Sequence, residues 1–218
     1  MSLLPAKNDL GFFEIRLESI GGLGANLAGK MLAEAGVLGL GLNGSNFSSY
    51  GSEKKGSPVK GFIRFCDPDV EIRDHSPIEE PHVIGIFHEA LYKMVDVVSG
   101  LRPNGIVLVN STRDFESVKT DLGMKNGTLA IVDALGIAVE EKTKVNTAML
   151  GALFRICDFL DPDAMRAVIR KTFEKKYPHL DKYIIDENIR NNMINNKDLL
   201  RKYTENESLI KVFVFELD

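Results

Sequence analysis

The chain has 218 residues, 44% hydrophobic and 27% charged, which fits one sizeable globular domain with or without an appendage and excludes a disordered polypeptide. A formal charge of −4 argues against general nucleic-acid binding, which needs a concentrated basic face. The two cysteines, Cys66 and Cys157, are too few and too far apart for an iron–sulfur cluster, a four-ligand zinc site or a disulfide scaffold.

No apolar run approaches the roughly 20 residues that span a bilayer. Lys7, Asn8 and Asp9 stand where a signal peptide would need an apolar stretch. The expectation is a cytoplasmic protein with neither membrane nor nucleic acid as partner.

In chain order, residues 12–19 (FFEIRLES) alternate apolar and polar side chains, the period of a strand. Ile20-Gly21-Gly22-Leu23-Gly24 follows, then a helix with Leu27, Ala28, Met31, Leu32 and Ala35 on one face. Gly36 stands where a left-handed C-terminal cap is wanted. Residues 38–42 suggest a short strand, and residues 43–60, polar and without apolar period, suggest loop until a strand resumes over 59–65. VIGIF at 83–87 is the kind of short apolar run that a parallel sheet buries on both faces.

A helix is expected over residues 89–99, then a turn at Pro103-Asn104-Gly105 into a strand at 106–109, with another at 129–132. Residues 148–160 are apolar nearly all round, as in an interior helix or one covered by a partner. Asp161-Pro162 then supplies an N-cap and a first-turn proline for a helix burying Met165, Val168, Ile169 and Phe173. Strands alternating with helices predict an α/β fold: a Rossmann-like, doubly wound, mostly parallel sheet. The domain is expected over residues 1–190. Residues 191–218 form a C-terminal extension, in which an Asn-rich stretch leads to LIKVFVFEL at 209–217, read as a subunit-interface arm that adds a strand to a sheet edge or, alternatively, closes the chain's own sheet.

Strand, Gly21-Gly22-Leu23-Gly24, helix is an arrangement in which backbone amides and a helix N-terminus receive a phosphate. It is not a dinucleotide fingerprint. From Gly22 that pattern wants Gly or Ala where Leu27 stands, and residues 36–47 lack the acidic residue that holds a ribose. The competing reading needs no ligand: the glycines close the turn and, at Gly29, let the helix pack tightly. A second polar element, Tyr50-Gly51-Ser52-Glu53-Lys54-Lys55-Gly56-Ser57, sets two lysines in a glycine- and serine-rich loop just before a strand. A βαβ sheet can bring both loops to one edge, where a lysine pair beside amides makes a polyphosphate site; otherwise the lysines are solvated surface. His88 stands at the end of a buried strand, an edge where ligands often lie, with local capping or packing as the competing reading, and turn and cap roles account for Asn110 and Asn146.

The ordered series Gly24-Ala25-Asn26, the Tyr50–Ser57 loop, Gly61-Phe62-Ile63-Arg64-Phe65, His88-Glu89-Ala90-Leu91-Tyr92, Leu101-Arg102-Pro103-Asn104-Gly105, Val107-Leu108-Val109-Asn110-Ser111 and Val145-Asn146-Thr147-Ala148-Met149 resembles the γ subunit of pyruvate and related 2-oxoacid:ferredoxin oxidoreductases over residues 11–190. The resemblance implies a non-catalytic subunit, with α, β and ferredoxin-like δ subunits as partners and ferredoxin as electron acceptor. It places thiamine diphosphate, magnesium and iron–sulfur clusters in those partners, and gives the γ portion a part in binding coenzyme A. Carried over by position, the contacts are Gly24, Ala25, Asn26, Lys54, Lys55, Gly56 and Ser57. One departure is Lys55-Gly56-Ser57, where stand-alone γ subunits more often carry an arginine and two glycines. The alternatives are a purely structural subunit and a free-standing Rossmann-type NAD(P)-binding oxidoreductase.

Overall fold

The protein is seen here as a computed structural model that describes residues 2–51, 56–140, 144–176 and 214–217. Strand β1 (Phe13–Ile20) leads through the glycine loop into α1 (Ala25–Leu40); β2 (Asn43–Tyr50) and β3 (Pro58–Cys66) form an antiparallel pair. Then come β4 (Val83–Ile86), a 3-10 turn over Glu89–Lys93, β5 (Ile106–Asn110), α2 (Phe115–Leu122) and β6 (Gly127–Val132). Helices α3 (Ala134–Glu140), α4 (Val145–Ile156) and α5 (Pro162–Lys176) follow, and β7 (Val214–Leu217) is the last element.

Among the described residues the sheet has seven strands in the order β2-β3-β1-β4-β5-β6-β7. Its centre, β1-β4-β5-β6, is parallel as expected for an α/β fold; the β1–β3, β2–β3 and β6–β7 pairings on its flanks are antiparallel. Two apolar layers cover it. Phe13, Ile15 and Leu17 of β1 pack with α1, α4 and α5 on one face, and Ile84, Ile86, Val107 and Val109 pack with Val118 and Leu122 of α2 on the other. Among the described residues no helix is long and apolar enough to cross a membrane.

Several local expectations are corrected. Residues 38–42 are not a strand: α1 runs on to Leu40 and is closed by Gly41 at φ 66°, whose amide bonds to the Val37 carbonyl at 3.1 Å. Gly36, expected as the cap, lies inside the helix, where a Cβ would stand 2.4 Å from Cε1 of Phe65. It is a packing glycine. Residues 43–50, expected as loop, are strand because eight consecutive partners on β3 hold them, Asn43 opposite Cys66 through Tyr50 opposite Val59. Pairing overrides their weak strand propensity. The helix expected over 89–99 is only the 3-10 turn, and α2 and α3 were not foreseen.

Residues 177–190 of the expected domain and 191–213 of the extension lie outside the described residues. The extension's described end pairs with β6 of the same chain, Gly127 opposite Leu217 through Ala130 opposite Val214. That is the placement in which the chain closes its own sheet.

Candidate functional site

The first turn after β1 is built from backbone. Gly22 and Gly24 hold φ at 107° and 80°, values open to glycine and costly for other residues. At Gly24 a Cβ would also stand 2.8 Å from Nδ2 of Asn146, so its lack of a side chain is needed for packing alone. Helix α1 then starts at Ala25 with no side chain capping it and no acidic residue in its first turn. No carboxylate within that turn compensates the dipole of its leading N–H groups, which suits an anion.

The second loop meets the first. The Gly21 amide donates to the Ser57 carbonyl at 3.0 Å, which ties the start of β3 to the glycine loop, and the Gly51 amide donates to the Pro58 carbonyl at 3.1 Å, which holds the two hairpin strands together. A cavity of about 640 Å³ opens between them, lined by Gly21, Gly22, Gly24, Ala25, Asn26 and Tyr50 among others. That is within the ~300–1,000 Å³ of small-molecule sites. Gly24, Ala25 and Asn26 are therefore at this cavity; Gly56 (φ 77°) and Ser57 do not line it, and Ser57 meets the glycine loop through its carbonyl. Lys54 and Lys55 lie outside the described residues.

Asn26 is more committed than the sequence suggests. Its Oδ1 accepts from the Ser48 hydroxyl at 3.0 Å and its Nδ2 donates to the Tyr50 hydroxyl oxygen at 2.7 Å, bracing α1 against β2. Tyr50 itself was missed as a lining residue because its surroundings read as loop. Gly29 is a packing glycine as expected: a Cβ there would meet Asn46 and Ile63.

His88 caps locally, its Nδ1 accepting from the Ala90 amide at 3.0 Å. Asn110 spans three elements: Nδ2 donates to the Phe87 carbonyl at 3.1 Å, and Oδ1 accepts from the amides of Ala134 at 2.9 Å and Leu135 at 3.3 Å. Asn146 is not a cap. Lys144 holds that position, and Asn146, buried, presses on Gly24 so that the start of α4 backs the glycine loop.

Two residues before the loop, Glu18 is fully buried, 2.8 Å from Nε of Arg16 and 3.3 Å from Nζ of Lys60. Desolvation raises its pKa despite both cations, and desolvation lowers that of Arg16 despite Glu18. Lys60 is thereby held to the sheet. Burial likewise pushes the Cys157 thiol up to about 12, marking an unreactive core side chain. Among the described residues no group of three His, Cys, Asp or Glu is placed to hold a metal ion.

Residues 14–191 match the family model described as pyruvate ferredoxin/flavodoxin oxidoreductase. The chain belongs to this family. It is 39% identical over 181 residues to pyruvate synthase subunit PorC of Thermotoga maritima, covering 82% of this chain and 90% of the relative. The crystal structure of that organism's pyruvate oxidoreductase subunit PORC superposes with a TM-score of 0.72, covering 86% of this chain and 96% of the other at 34% identity. The pyruvate/ketoisovalerate oxidoreductases common subunit gamma of Thermococcus kodakarensis is 37% identical over 162 residues, 73% of this chain and 86% of the relative. The same fold, at 19% identity and a TM-score of 0.67, occupies part of 2-oxoglutarate:ferredoxin oxidoreductase from Magnetococcus marinus, solved with 2-oxoglutarate, coenzyme A and succinyl-CoA bound; 88% of this chain and 31% of that one are covered. The chain is thus a γ-type subunit of a multi-subunit 2-oxoacid:ferredoxin oxidoreductase.

Proposed function

We propose that this subunit holds the phosphate-bearing part of coenzyme A in the cavity between the glycine loop and the β2–β3 hairpin, and so presents the thiol to chemistry carried out on its partners. The observation that carries the reading is the meeting of the two loops at an uncapped, acid-free helix start, the Gly21 amide bonding to the Ser57 carbonyl at 3.0 Å. The ligand class draws on the Magnetococcus structure, which contains coenzyme A. Backbone amides of Gly24, Ala25 and Asn26 suit a diphosphate. Lys54 and Lys55, in the stretch between Gly51 and Gly56, supply the positive charge that it and the 3′-phosphate call for.

In this reading the complex oxidatively decarboxylates a 2-oxoacid such as pyruvate, giving acyl-coenzyme A, carbon dioxide and two electrons that pass to ferredoxin. The partners are α, β and ferredoxin-like δ subunits, which carry thiamine diphosphate, magnesium and iron–sulfur clusters, and the complex is cytoplasmic. This chain contributes binding and orientation, and orientation alone accounts for as much as ~7–11 kcal/mol in well-aligned intramolecular reactions.

Changing Lys54 and Lys55 together to alanine in the intact complex is expected to raise the KM for coenzyme A and leave that for the oxoacid nearly unchanged. The loss is about 1–3 kcal/mol, shrinking at high salt. Equal effects on both substrates would point to assembly instead. A structural reading, in which the loops only pack, is favoured by Gly24 against Asn146 and by Asn26 against Ser48 and Tyr50. It requires coenzyme A affinity to be indifferent to the lysines.

A further inference from the structure

Resting on that reading, we propose that the Tyr50 hydroxyl donates a hydrogen bond to a phosphate oxygen of the ligand, making Tyr50 a binding residue of the site. The orientation follows from a short chain of bonds. The Ser48 hydroxyl donates to Oδ1 of Asn26, whose amide is set with its oxygen toward Ser48. Nδ2 is thereby directed at Tyr50, and the phenol oxygen accepts from it at 2.7 Å. An oxygen that accepts is left with its own proton to give, and among the described residues nothing receives it.

The position supports the same use. Tyr50 is the last residue of β2, 61% exposed, and it lines the cavity together with the amide-rich start of α1. A large aromatic so exposed is not held there by core packing. The accepted bond also polarises the phenol, because linked hydrogen bonds strengthen one another, so the remaining proton is a better donor to an anion. Asn26 then positions Tyr50, and Ser48 orients Asn26.

The test uses the intact complex and calorimetric titration with coenzyme A, 3′,5′-ADP and pantetheine. Tyr50→Phe keeps the ring and removes the donor. It is expected to weaken coenzyme A and 3′,5′-ADP by about 10-fold, the scale of one hydrogen bond to a charged group, and to leave pantetheine and the KM for the oxoacid unchanged. Ser48→Ala, which frees the Asn26 amide to turn, is expected to weaken the same two ligands by a smaller factor. A Tyr50→Phe complex that binds coenzyme A like the parent overturns this inference alone. So does one that loses pantetheine equally, since the defect then is not at a phosphate. A parent complex indifferent to coenzyme A overturns both this inference and the reading beneath it.

Discussion

His82 is 7% exposed, stacked on the Phe13 ring at 4.9 Å between centroids, and its Nδ1 accepts from the Glu14 amide at 3.0 Å. Burial, with the charge of Arg102 adding to it, lowers its pKa from 6.5 to about 4. Above pH 6.5 the imidazole is neutral in folded and unfolded chains alike and stability is fully present. Between pH 6.5 and 4 only the unfolded chain takes up the proton, so stability falls as pH falls, by at most about 3 kcal/mol at 1.36 kcal/mol per pH unit. Urea unfolding of the isolated subunit at pH 7 and pH 4.5 is expected to show this loss. His82→Asn, which keeps an acceptor near the Nδ1 position but does not titrate in this range, is expected to flatten the dependence while lowering stability at both pH values. An unchanged slope would assign the pH sensitivity elsewhere. Nothing in the sequence marked His82, because its burial and its bond to Glu14 are long-range facts, 68 residues apart in the chain.

At the level of elements, β1 shows what patterning conveys and what it omits. Alternation identified the strand, and Phe13, Ile15 and Leu17 do enter the core. The polar positions between them ordinarily face water, yet Glu14, Arg16 and Glu18 are all buried. Glu14 lies opposite Arg64 and Glu18 opposite Lys60 in register with β3, and Arg16 bonds to the carbonyls of Ile78, Glu79, Val97 and Ser99, so the connecting segments are fastened over a charged layer. Period-two reading cannot tell a solvated face from a paired one. The buried parallel strands and the Asp161-Pro162 helix start were legible because composition and capping are local; β2 was not, since its strand character comes from β3. The site shows the same division: the two loops were visible as glycine and lysine motifs, whereas Tyr50 needed the β2 register. Removing one partner from the charged layer leaves a charge without compensation. Arg64→Met, which strands Glu14 (Nε to Oε1 2.7 Å), is expected to cost about 3–5 kcal/mol. The double change Glu14→Gln with Arg64→Met is expected to recover part of that, read from unfolding midpoints in a double-mutant cycle. Additive losses would show that the two side chains do not act as a pair.

At the level of the whole molecule, the sheet is a parallel centre with antiparallel strands on both flanks, and β7 is the outermost strand on the β6 side. The core that positions the cavity, α1 against β1 and β3 with α4 behind, is complete without β7. What β7 supplies is a partner for the backbone of β6 from Gly127 to Ala130, beside Leu129, Ala130 and Ile131, which are fully buried. An unpaired edge there would be a template for another chain. Deleting residues 205–218 is therefore expected to leave a subunit that folds but melts at lower temperature and self-associates as its concentration rises, measured by circular dichroism and by light scattering after gel filtration. Coenzyme A binding in any complex that still forms is expected to persist, because the cavity lies at the far side of β1 from this edge. A truncated chain with unchanged melting and no self-association, yet unable to join its partners, would instead make the extension an interface arm.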